Sequence, residues 1–148
     1  MENRSTPVRI ENVLARLAHD DNVWLATASP EGVPHLVPLS LAWVDDQVVC
    51  ATPTLSKTVQ NISQTPTVRL ALESTIDVVV IDADARCIGT SQADSCLIEP
   101  YVSRVGWDPR DLPEPWSLIV IMPSRVQAWN SVNEMKGRTL MRDGSWTR

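Results

Sequence analysis

Between Val23 and Trp129 the chain is cut into short β-rich runs by turn-forming residues, and that rhythm leaves few architectures open. Residues 23–29 end at Pro30-Glu31-Gly32, and residues 33–43 resume the extended pattern, which predicts a hairpin. Asp45-Asp46 supplies the next turn before residues 47–52, so three antiparallel strands are expected to follow one another as a meander. Residues 67–73 and 77–83 are β-branched runs separated by Ser74-Thr75, the second alternating on through residues 85–88. Residues 116–122 and 124–129 read as two further strands, and a short piece at 138–142 precedes the Asp143-Gly144 turn and Trp146.

Helices are fewer. Thr6-Pro7 has the form of an N-cap followed by proline in the first turn, and Ile10, Val13, Leu14 and Leu17 recur at helical spacing, which predicts a helix over residues 7–19. A short helix is expected at 55–63, with Leu55, Val59 and Ile62 on one face and Thr65-Pro66 as its stop. Another falls in 92–105, where Pro100 must begin or kink a segment. Residues 106–115 hold three prolines and read as an ordered surface loop. About seven strands with two or three helices, joined mainly by hairpins, point to a mainly β chain: one domain over residues 1–148, an antiparallel barrel closed or partly closed, with helices plugging its ends.

Charge and composition narrow the chemistry. Thirteen basic against eighteen acidic side chains give a net charge of −5, without the basic footprint that nucleic-acid binding requires. No long uncharged apolar run is present, so a cytoplasmic protein without membrane spans is expected. Cys50, Cys87 and Cys96 lack C-x-x-C spacing, and His19 and His35 have no partner at ligand spacing, so reduced thiols and no metal site are expected. With six tryptophans, one tyrosine and no phenylalanine, any ring-stacking duty falls on tryptophan.

One segment carries a chemical signal. A phosphate monoester calls for unpaired N–H groups at a helix start, hydroxyl donors and a cation, and Thr52, Thr54, Ser56 and Lys57 supply these within six residues. Lys57 taken alone reads first as a solvated lysine at an ordinary helix start.

The order of elements and three strings resemble the pyridoxamine 5′-phosphate oxidase-like split-barrel superfamily, in particular its flavin and deazaflavin oxidoreductases. The strings are "WLATASPEGVPHLVPLSLAW", "DDQVVCATPTLSKTVQNISQTPTVRLAL" and "GWDPRDLPEPWSLIVIMPSRVQAWN". The resemblance implies a split antiparallel β-barrel, homodimeric, with FMN or coenzyme F420 at the subunit interface and a small-molecule substrate. It implies that Thr52, Thr54, Ser56, Lys57 and Asn61 hold the cofactor phosphate and that backbone groups from His35, Leu36, Val37 and Pro38 line the ring. It further implies that Trp129, and less directly Trp107, approaches the ring from the opposite subunit, so that Lys57 of one chain and Trp129 of another build one site.

His35 is a candidate proton donor to the reduced substrate, since its ordinary pKa lies near neutrality, or else a packing residue. Pro34 and Pro38 either free backbone groups for the cofactor or mark an edge strand. Arg125, Arg138 and Arg142 are candidates to meet an anionic substrate or cofactor tail, or are exposed strand ends. The paired arginine and histidine with which true pyridoxamine phosphate oxidases hold their substrate are missing near the C-terminus, so vitamin B6 oxidation is not expected. The loop at 106–110 and "GRTLMRDGSW" are more similar to the deazaflavin branch. A non-catalytic protein that binds or stores a flavin, haem or another flat ligand on the same barrel is the alternative.

Overall fold

The computed structural model describes residues 3–147. Among them nine strands form one antiparallel sheet: β1 (Asn22–Ala28), β2 (Pro34–Ser40), β3 (Ala42–Val44), β4 (Gln47–Pro53), β5 (Thr67–Leu72), β6 (Val78–Gly89), β7 (Trp116–Trp129), β8 (Thr139–Arg142) and β9 (Ser145–Trp146). The main path runs β2-β1-β5-β6-β7-β4-β3, and β8 pairs with β7 and β9. The expected meander does not form. Residues 33–43 are two strands, not one, and they lie at opposite ends of this path although only Leu41 separates them in the chain. Leu41 is buried, and its N–H donates to the Asp21 carbonyl at 3.3 Å. A sheet whose two ends are joined by one residue has to curl until they meet, and the result is a split barrel: mainly β, closed by the chain at Leu41 and not by a β2–β4 ladder.

Proline at 123 leads the sequence to read as two strands where there is one. β7 runs unbroken past it because the register against β6 shifts between Asp82 and Ala83, leaving Ser124 as the extra residue of a bulge. Ser124 Oγ donates to the Asp82 carbonyl at 3.1 Å. A bulge is where a sheet accepts a residue without an N–H.

Two apolar clusters explain the composition of the strands. Inside the barrel Leu25, Leu70, Ile81, Ile119 and Ile121 meet Val13 and Leu17 of helix α1 (Thr6–His19) and Ile62 of helix α2 (Lys57–Gln64). Outside, Val49, Leu118 and Val120 lie under Ile98 and Tyr101 of helix α3 (Ser95–Val105). β4 and β7 are thus covered on both faces, which is why they read as continuous apolar runs and not as alternating ones. Pro100 sits inside α3 and neither begins it nor ends it. The helix stops at Gly106, whose φ of 82° is a left-handed conformation suited to glycine, and the chain turns back to Trp107. The N-cap of α1 is Ser5 and not Thr6; Ser5 Oγ accepts from Val8 N at 3.4 Å.

A charged clamp closes the far end. Glu134, on a short 3-10 segment at Val132–Gly137, is buried and accepts from Arg4 Nη2 at 2.8 Å, Arg4 Nε at 3.1 Å and Asn130 N at 2.9 Å. Arg9, buried on α1, donates to the carbonyls of Ala128 and Gly137. Hydrogen bonding from the Arg4 guanidinium outweighs the burial of Glu134 and pulls its pKa down to about 2.

Candidate functional site

The hydroxyl-rich turn between β4 and α2 carries several donors that the fold leaves unspent. Ser56 caps α2, its Oγ accepting from Val59 N at 3.2 Å and from Thr52 Oγ1 at 3.4 Å. Both bonds use oxygen lone pairs, so the Ser56 proton is left to donate outward. Thr54 Oγ1 and Ser117 Oγ lie 2.9 Å apart; one proton serves that bond and the other stays available. Thr54 N donates to the Pro115 carbonyl and Ser56 N to that of Pro53, each at 3.0 Å, which fixes the turn's path. Lys57 begins the helix, exposed, and no carboxylate of the described residues forms an ion pair with it. An unpaired ammonium, two spare hydroxyl protons and a helix N-terminus therefore lie within a few residues of one another in this turn, and they are the donor types a phosphate calls for.

Asn61 has a different environment from its neighbours in the turn. It is buried, and its Nδ2 donates to Thr27 Oγ1 of β1 at 3.0 Å. Thr27 is the cross-strand partner of His35, so this bond holds α2 in place beside β2. Asn61 positions the turn from inside.

On β2, His35 and Val37 are half-buried and lean inward, while Leu36, at 60% exposure, and Pro38 point outward. One ligand surface cannot meet all four side chains, whereas a ligand lying along the strand's free edge would meet their backbone. β2 is an edge strand, which accounts for Pro34 and Pro38 in structural terms.

Trp129 lies far from this turn. It ends β7 opposite Val78, whereas Ser117, the partner of Thr54, begins that strand. The 14 residues of β7 cover roughly 40 Å of extended chain, so Trp129 and Lys57 of one chain do not share a site. Arg125 and Arg142 flank the bulge beside Asp82, whose carboxylate is taken by Arg69 Nε at 2.5 Å. Arg138 donates to the Met135 carbonyl at 2.8 Å.

The sequence reading missed a cleft of about 470 Å³ at the C-terminal end of β2, walled by Trp24, Trp107 and Trp116 with Pro38, Leu39 and Ala51. Trp107 and Trp116 pack edge to face with ring centroids 5.3 Å apart. The available signal was alternation on β1, which turns Trp24 outward between buried Val23 and Leu25. Among the described residues no group of three or more His, Cys, Asp or Glu side chains is placed to hold a metal, and no helix is long and apolar enough to cross a membrane.

Comparison with solved structures returns this fold repeatedly. An F420 reductase superposes with a TM-score of 0.59 at 18% identity, covering 76% of this chain and 93% of its own. A conserved hypothetical protein from Mycobacterium tuberculosis gives 0.66 at 18%, covering 88% and 90%. HutZ, the haem storage protein from Vibrio cholerae, gives 0.66 at 13%, covering 80% and 92%. Identities this low speak for the fold alone. No curated protein matches the sequence. The family model described as pyridoxamine 5′-phosphate oxidase matches residues 10–130, the greater part of the sequence, and the chain belongs to that family.

Proposed function

We propose that the protein is a cytoplasmic FMN- or F420-dependent oxidoreductase, acting as a homodimer on a small organic molecule, with the cofactor phosphate held at the turn from Thr52 to Lys57. The observation that carries this reading is the convergence of unspent donors there: Lys57 without a carboxylate partner, the Ser56 proton, and the start of α2. When bound, the cofactor would supply hydride transfer. The chain's own part is to seat the phosphate, to present the free edge of β2 from His35 to Pro38 along the ring, and to offer His35 as a proton donor. The resemblance of the 106–110 loop to the deazaflavin branch favours F420 over FMN.

A second copy of the chain is part of the proposal. Val33 and Leu36 stand 59% and 60% exposed on and just before β2, an apolar surface of the kind a partner covers. Trp129 reaches a ring bound near Lys57 only from the other subunit.

Titrating FMN and F420 into the protein and into Lys57→Ala tests the reading. One cofactor should bind saturably, and loss of the charge-assisted contact, typically about 1.5–3 kcal/mol, should weaken it roughly ten- to a hundredfold. No saturable binding of either, or a strictly monomeric particle, would overturn it. The likeness to a haem storage protein favours a second reading, a non-catalytic holder of a flat ligand. Absence of turnover by the loaded protein with a reductant and a panel of acceptors would decide for that one.

A further inference from the structure

The tryptophan cleft has walls that are already fixed. Trp107 is wedged between buried Tyr101, at 6.0 Å and 82°, and Trp116. Trp116 Nε1 donates to Glu114 Oε1 at 3.2 Å, which holds that ring from behind. Trp24 faces them from β1, where its ladder partners are Pro38 and Ala71. The Trp107–Trp116 wall is therefore packed without a ligand, and the lining of the cleft is mainly apolar.

Its charge is one-sided. Among the described residues that line it, Glu73 is the only ionisable one, one residue beyond the Leu72–Val23 pair and on the same sheet face as Asn22 and Ser40. Glu73 takes part in no ion pair among the described residues. The neighbouring cation, Arg104, is engaged by other groups: its Nη2 donates to the carbonyls of His19 at 2.5 Å and Asp20 at 3.3 Å and pairs with Asp21. Indole faces carry negative potential, and here three tryptophans and one free carboxylate stand together in a chain of net charge −5. Such a site attracts a flat cation and repels an anion.

We infer that this cleft binds a flat organic cation, an aromatic or quaternary amine, between Trp24 and the Trp107–Trp116 wall with its positive charge toward Glu73. The cleft adjoins the proposed cofactor site, since it shares Pro38 with the β2 edge, and Ala51 and Trp116 precede Thr52 and Ser117 in the chain. That it receives the substrate rests on the oxidoreductase reading; the class of ligand does not.

The probe is benzyltrimethylammonium, titrated into the full chain without cofactor and followed by tryptophan emission, with benzenesulfonate and benzyl alcohol as anionic and neutral counterparts. The cation should saturate and the other two should not. Glu73→Gln should weaken it about fivefold, as for a cation held by a partly exposed aromatic and ionic site. Trp24→Ala should weaken it as well, while Lys57→Ala leaves it unchanged. No saturation, equal affinity for the sulfonate or the alcohol, or an unaltered Glu73→Gln protein would overturn the inference. Cofactor titrations of the same proteins report separately on the phosphate turn, so the two readings fail by different results.

Discussion

Acidification should weaken the fold through one side chain above all, Glu134. Arg4 and the Asn130 N–H stabilise its carboxylate, and its pKa falls from the ordinary 4.5 to about 2. At 1.36 kcal/mol for each pH unit between folded and unfolded values, the ionised form contributes roughly 3 kcal/mol. Because the folded value is the lower one, that contribution is complete above about pH 5 and drains away as pH falls from about 4.5 toward 2. Glu134→Gln keeps the shape and removes the charge, leaving Arg4 and Arg9 beside a neutral amide. Urea unfolding of both proteins across this range isolates the effect, because every other carboxylate titrates in both. The stability gap should be roughly 3 kcal/mol at neutral pH and under about 1 kcal/mol at pH 2.5. A gap that stays constant between pH 6 and 2.5, or no gap at neutral pH, would refute the reasoning.

Two further outcomes follow from buried groups. Asn61→Ala strands the Thr27 hydroxyl beneath α2 and should cost about 1–3 kcal/mol, seen as a drop in Tm; a variant that melts with the parent would show the bond to be dispensable. Complete burial pushes the Cys50 thiol up to about 12, so iodoacetamide at about pH 8 should label exposed Cys96 first and Cys50 only in denaturant. Mass spectrometry finding native Cys50 alkylated as fast as Cys96 would contradict the packing.

Local features were legible in the sequence wherever neighbours in the chain settle them. The β1–β2 turn, α1, α2 and the Asp143-Gly144 turn all lie within a residue or two of where spacing and turn chemistry place them. Features decided by distant partners were not. The separation of β2 from β3 depends on which strands flank them, and the passage of β7 through Pro123 depends on a bulge shared with β6. The Arg4–Glu134 clamp joins residues at opposite ends of the chain and leaves no periodic trace. The same division runs through the candidate site. Thr52, Thr54, Ser56 and Lys57 fall in one six-residue stretch, whereas Ser117, Thr27 and the Trp24 cleft join it only through pairing across the sheet. The family resemblance points to Asn61, but its inward bond to Thr27 could not be read from the sequence.

Leu41 has a kinetic consequence as well as a geometric one. Handing the chain from one rim of the sheet to the other leaves two hairpins that can form early and locally, and defers the β4–β7 ladder, which spans the longest stretch of sequence of any strand pairing. That late ladder brings Ser117 to Thr54. The anion-binding turn is thus finished only when the slowest part of the topology has closed, and a chain arrested before that point would hold native hairpins and no ligand.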